Sequence, residues 1–187
     1  MMTNFTELFT LGFKDLCSVI PPQAELVEGS KIDERYLGKA PGIRRADGKW
    51  RGDPNFLKRK TTLDHCSKWD KAGANVGLQA KRFPGLDIDV TDKDLSDFVA
   101  EEARQFLGEA PVRVGKAPKQ LLMYRLEGDP FGKKLLTFSA PDDGVEHQVE
   151  VLADGQQYVV AGTHPEGHSF AFDESPAESP TSVSGEQ

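Results

Sequence analysis

The stretch "FPGLDIDVTDKDL", residues 83–95, places two acids one residue apart inside an apolar run. On a strand alternate side chains share a face, so Asp87 and Asp89 point one way while Leu86, Ile88 and Val90 point into a core. Two carboxylates side by side repel, and one of them tends to hold a proton unless a cation intervenes. Oxygen ligands at this spacing suit Mg²⁺ or Mn²⁺, which take a few carboxylates together with substrate phosphates and water. The pattern fits equally a pair of surface acids on the solvent side of a half-exposed strand.

A third acid stands in an apolar setting in "HQVEVLADGQQYVV", where Glu150 lies between Val149 and Val151. The segment reads as a hairpin turning at Ala153-Asp154-Gly155, with Glu150 projecting from its first strand. One strand with an acid pair and another with a third acid is what a two-metal phosphoryl-transfer site requires: the acids fix the separation of the ions.

The net charge of −7 is unfavourable for contact with a polyanion, but the charge is unevenly distributed. Residues 31–60 hold ten Lys/Arg against four Asp/Glu, residues 113–125 hold four bases and no acid, and residues 142–187 hold ten acids and no Lys or Arg. Two basic stretches with an acidic end can bind phosphates locally in a soluble chain, with Lys39, Arg44, Arg45 and Arg51 as the candidates for contact with a nucleic-acid phosphate backbone; solvated faces are the alternative. Lys39 reads equally as a loop lysine without a role.

The elements that must position these groups are legible in outline. At 187 residues, 37% hydrophobic and 28% charged, the chain suits one good core or two small lobes. No apolar run approaches the roughly 20 residues of a membrane span, and no secretory signal opens the chain. Cys17 and Cys66, far apart and outside any CxxC, argue for a reducing compartment, the cytoplasm, and against a disulfide framework or a four-cysteine zinc site. "TNFTELFTLGFKDLCSVIPP" predicts a short helix and a strand ended by Pro21-Pro22. Residues 23–60 predict long loops with short elements, "TTLDHCSKW" a helix capped by Thr61 or Thr62, and "ANVGLQA" a strand. Thr91 or Asp92 caps the clearest helix, with Leu95, Phe98, Val99, Phe106 and Leu107 at helical spacing and Gly108 and Pro111 at its end. Strands follow at "VRVG", "QLLMYRL", "KLLTFSA", "HQVEVLA" and "QQYVVAG", an α+β pattern with a mainly antiparallel or mixed sheet. The Ser/Pro/Glu-rich end, residues 173–187, predicts a disordered tail or linker dispensable for catalysis, with the ordered domain spanning 1–172.

Taken in order, "LGKAPGIR", "W…GANVGLQ", "GLDIDV", "RVGKAPKQLLMYR" and "VEVLADGQQYVVAGTHPEG" resemble the bifunctional primase–polymerase domain of the archaeo-eukaryotic primase superfamily, in the form found in phage and plasmid replication proteins. The likeness runs from about residue 12 to residue 172. It implies an RRM-like catalytic core with a small N-terminal α/β module, and a DNA primase and DNA polymerase. Asp87, Asp89 and Glu150 match the family's acidic motifs and would bind two Mg²⁺ or Mn²⁺ ions. Single-stranded DNA template and NTP or dNTP are the implied partners, with a helicase or other replication module following in a longer chain, and no membrane. The family's small-x-His motif is missing; "GKAPKQLLMY" stands in its place. Lys116 and Lys119 are the natural substitutes, Arg113 offers a bidentate grip, and His147 and His164 lie near the third acid in sequence. An exposed hairpin edge is the plain alternative for the three bases.

Other signals weigh less. "HPEGH" at 164–168 has the spacing of a zinc helix, but Pro165 and Gly167 oppose a helix there. Neither "GKAP" is a phosphate-binding GxxxxGK[ST] loop. Cys66 reads as a small buried thiol, and Trp69 as core or as a base-stacking platform. Three rival functions share the pattern: a non-catalytic single-stranded-DNA or origin-binding domain, a metal-dependent nuclease, and a tyrosine nicking initiator. The last needs an HxH pair, and Tyr36, Tyr124 and Tyr158 do not fit it.

Overall fold

The computed structural model describes residues 4–139, 144–173 and 180–186. Along the chain run α1 (Phe5–Thr10), β1 (Leu16–Val19), β2 (Gly42–Arg44), β3 (Trp50–Gly52), α2 (Leu63–Ala72) and β4 (Asn75–Gln79). There follow β5 (Gly85–Asp89), α3 (Lys93–Leu107), β6 (Val112–Val114), β7 (Gln120–Met123), β8 (Arg125–Glu127) and β9 (Lys134–Ser139). The last strands are β10 (Glu146–Leu152), β11 (Gln157–Thr163), β12 (Ser169–Phe172) and β13 (Ser182–Ser184). The fold is α+β, and it forms two compact units, Met1–Gln79 with Tyr158–Ala171 and Ala80–Gln157 with Phe172–Gln187.

In the first unit the helix ends follow local chemistry. The Asn4 side chain accepts from Glu7 N–H to start α1, Thr62 does the same for His65 N–H at α2, and Gly73 ends α2 in the left-handed conformation. β1 and β4 pair antiparallel, Leu16 opposite Leu78, in the order β1-β4-β11-β12. The predicted loop region 23–60 contains a hairpin of β2 and β3, anchored by buried Trp50 with Ile20 and Leu37. Phe5 and the imidazole of His65 pack on Trp69, which is buried; it is core and not a stacking platform.

In the second unit the order is β6-β7-β5-β10-β9, every adjacent pair antiparallel. α3, capped by Asp92 through Leu95 N–H, joins β5 to β6 and covers the face that carries Ile88 and Val90, both fully buried. Leu95, Val99, Ala103 and Leu107 make the apolar stripe of α3, whereas Phe98 (59% exposed) and Phe106 (79%) face outward, off that stripe.

Two expectations fail. β10 and β11 are not a hairpin: β10 lies between β5 and β9, while β11 lies between β4 and β12 in the other unit. Asp154-Gly155 turns the chain out of one unit instead of back along β10. The end of the chain is also ordered where it is described. Ser182–Ser184 pairs in parallel with β8, Val183 is buried in the core under α3, and Asp173 exchanges hydrogen bonds with the Val112 backbone. A polar segment is ordered here by one apolar side chain and one edge strand, a signal too small for composition to carry. Residues 174–179 lie outside the described residues. Among the described residues no helix is long and apolar enough to cross a membrane.

Candidate functional site

Burial of Ile88 and Val90 forces Asp87 and Asp89 to the opposite face of β5. The register then sets Glu150 of β10 directly opposite Asp87, Gln148 opposite Asp89, and Val149 opposite Ile88 on the core side. Directly opposed residues on one face come within about 5 Å at Cβ. Three carboxylates thus share one patch of one face: alternation along β5 accounts for Asp87 and Asp89, and the pairing with β10 adds Glu150.

Like charges directly opposite are destabilising, and each acid is met by a base from a different segment. Arg113 Nη2 lies 3.7 Å from Asp87 Oδ1, and Lys119 Nζ contacts Asp89 Oδ1. Lys133 Nζ donates to Glu150 Oε1 at 2.6 Å. Arg113 reaches the face through the register: it stands opposite Leu121 on β7, which stands opposite Asp87. Its side chain is 10% exposed, against 36% for Lys119 and 37% for Lys133.

The donor set is all carboxylate, which suits hard oxygen-seeking ions such as Mg²⁺ or Mn²⁺ and not zinc. Among the described residues no three His, Cys, Asp or Glu side chains already converge as a ligand cage; the carboxylates are turned onto their bases. Asp87, Asp89 and Glu150 are the residues that would hold a divalent ion here, in exchange for the side-chain cations that face them.

The predicted nucleotide-binding residues divide. Arg113 and Lys119 join the acids, and Lys116 lies in the β6–β7 turn, where its carbonyl accepts from Lys119 N–H at 3.1 Å. His147 does not join them. It is one residue out of phase with Gln148 and Glu150, so it takes the core face, fully buried against Phe138. His164 belongs to the first unit, where its Nδ1 accepts from Glu166 N–H and its carbonyl from Gly167 N–H; it caps a turn. The same turn disposes of the zinc-helix reading of "HPEGH". Sequence reasoning missed Lys133, whose only signal was its place just before the strand that neighbours β10.

The template-binding candidates Arg44, Arg45 and Arg51 gather on the β2–β3 hairpin of the first unit, around a shallow concavity that they line with Ile43 and Asp47. All three are exposed; Lys39, also exposed, precedes the hairpin. Compared with known proteins, the chain matches no protein-family model and no curated protein.

Proposed function

We propose that the chain is a template-dependent nucleotidyltransferase, a DNA primase and DNA polymerase of phage or plasmid replication, working by two-metal phosphoryl transfer. The observation that carries this reading is the register of β5 and β10, which sets Glu150 opposite Asp87 with Asp89 on the same face. The strand order β6-β7-β5-β10, with α3 connecting β5 to β6, supports an RRM-like catalytic core, with the acids on the face opposite α3. The first unit then serves as the small N-terminal module.

When bound, two Mg²⁺ or Mn²⁺ ions held by Asp87, Asp89 and Glu150 would activate a primer or nucleotide 3′-hydroxyl and neutralise the leaving pyrophosphate. The chain's own residues do the positioning. The carboxylates share a strand pair whose backbone ladder fixes their separation. Arg113, largely buried, presents a guanidinium whose fork suits phosphate oxygens, and Lys119 with Lys116 adds point charge on the same flank. The hairpin arginines track template phosphates, which gives salt-sensitive binding with little sequence preference.

The test is incorporation of labelled nucleotides on single-stranded DNA with Mg²⁺ or Mn²⁺, with and without a primer. Product in both arms is expected; absence of product in both sinks the reading. The second reading is a non-catalytic single-stranded-DNA-binding domain, favoured by the neutralisation of all three acids by their own bases. It predicts DNA binding with no incorporation.

A further inference from the structure

Lys133 is the base on the acid face that the sequence did not offer. Its backbone is held in place: Asp154 N–H donates to Phe131 O at 3.0 Å, and Gly132 forms a β-bridge with Asp154. β9 runs antiparallel to β10 with Leu135 opposite Glu150, so Lys133, two residues before Leu135, takes the same face. Its ammonium approaches Glu150 from the β9 flank, whereas Arg113 and Lys119 approach Asp87 and Asp89 from the β6–β7 flank.

We infer that Lys133 exchanges partners during nucleotide binding, leaving Glu150 when a divalent ion takes that carboxylate and then holding a phosphate of the incoming nucleoside triphosphate. This rests on the nucleotidyltransferase reading. Among the described residues each of the three acids faces a base. A divalent ion at Glu150 carries twice the charge of the ammonium and replaces its attraction with repulsion. The pair is partly enclosed, with Lys133 37% and Glu150 21% exposed, so it opens only when a stronger charge takes the carboxylate, and the ammonium is the partner with room to leave. The freed side chain, tethered by a fixed backbone, then has a new anion within reach, because metal-bound phosphates occupy the same face. Arg113 is too enclosed to make such a move, and Lys119, as exposed as Lys133, serves Asp89 from the β6–β7 flank, so Lys133 is the one of the three on the β9 flank.

The test follows Lys133 directly in the wild-type chain by acetylation footprinting, read by mass spectrometry. Mn²⁺ alone is expected to raise the reactivity of Lys133, and Mn²⁺ with a non-hydrolysable deoxynucleoside triphosphate to lower it. In parallel, Lys133→Met should bind Mn²⁺ alone at least as tightly as wild type but the Mn²⁺–nucleotide about tenfold more weakly or worse, the size of a lost charge-assisted phosphate contact. Lys133→Arg should restore most of that. A counter-ion role alone would tighten Mn²⁺ and leave nucleotide affinity unmoved; that result, or a Lys133 unprotected by bound nucleotide, overturns the partner exchange while leaving the nucleotidyltransferase reading intact. Failure of the wild-type chain to bind either Mn²⁺ or nucleotide overturns both.

Discussion

Glu150 stands directly opposite Asp87 across β10 and β5, and the two carboxylates are held in that register by a five-pair ladder from Gln148–Asp89 to Leu152–Gly85. Two acids so placed are a liability in a chain that does nothing with them. Asp87→Asn, Asp89→Asn and Glu150→Gln are each expected to reduce nucleotide incorporation below detection. Their effects on stability should differ. Asp87→Asn removes the negative charge beside the largely buried Arg113 and should cost on the order of 1 kcal/mol, partly offset by relief from Glu150. Asp89→Asn faces the more exposed Lys119 and should stay within about 0.5 kcal/mol of wild type. Thermal melts with incorporation assays on the same preparations check both; retained synthesis in any of the three variants removes the site.

Much of this face was legible in the sequence because period-two alternation is a local property. Leu86, Ile88 and Val90 had to go inward, so Asp87 and Asp89 had to go outward. What strand β10 pairs with is not local. Asp154-Gly155 has the residues of a tight hairpin turn, and only the full strand order shows that the chain leaves for the other unit there. The same alternation, once the register is known, sends His147 to the core. Lys133 carried no pattern at all, since a loop lysine acquires meaning only from the strand beside it. Phe98 and Phe106 fit helical spacing in general but lie off the stripe that Leu95, Val99 and Leu107 define.

The C-terminal strand is part of the fold. Val183→Ala should cost about 1–2 kcal/mol, the range for removing buried methyl groups. Truncation after residue 173 should cost more, because it also removes the β8–β13 pairing and the Thr181 carbonyl that accepts from Arg125 N–H. Denaturant midpoints of the two variants test this; an unchanged midpoint for the truncated chain would return residues 180–186 to the status of a tail.

Both cysteines should be inert in the native chain at neutral pH. Burial, helped by the nearby Asp70 carboxylate, pushes the Cys66 thiol up from 9.0 to about 11, and burial with Asp53 raises Cys17 further. A thiol whose pKa is raised in the folded state holds its proton more tightly there than in the unfolded chain. Its contribution to stability is therefore complete below about pH 9 and is lost as pH rises through 11. Thiol labelling should be negligible at pH 7.5 until denaturant is added, and the melting temperature should fall between pH 9 and 11. Fast labelling of the native chain at pH 7.5 would contradict the burial.

The proposed phosphate contact of Lys116 and Lys119 has a direct test. Lys116→Ala with Lys119→Ala should raise the apparent KM for nucleotide roughly tenfold to hundredfold, the cost of a charge-assisted phosphate contact, with little change in template affinity. His164→Ala is the contrasting variant. Because His164 caps a turn in the first unit, its loss should lower stability more than nucleotide affinity. A normal KM in the lysine variant with a raised one in the histidine variant would move the triphosphate contact to His164.

The β2–β3 hairpin offers the sharpest test of template binding, because its cations can be removed without touching its anchor. Trp50, buried with Ile20 and Leu37, holds the hairpin by the face opposite to the one on which Arg45 and Arg51 lie. Arg44 donates through Nε to Gly48 O at 3.1 Å and so braces the turn, and Arg45 lies 3.7 Å from Asp47. Arg51 makes no ion pair among the described residues, which leaves its guanidinium ready for a phosphate. Arg45→Ala with Arg51→Ala should therefore weaken single-stranded DNA binding on every sequence alike. Each lost phosphate contact should also flatten the plot of log affinity against log salt by about 0.7. Melting temperature should not move, since neither side chain packs in the core. A variant that binds DNA with the wild-type salt slope would show that the basic stretch is only a solvated face; a variant that loses affinity for one sequence and keeps it for another would mean that the hairpin reads bases instead of phosphates.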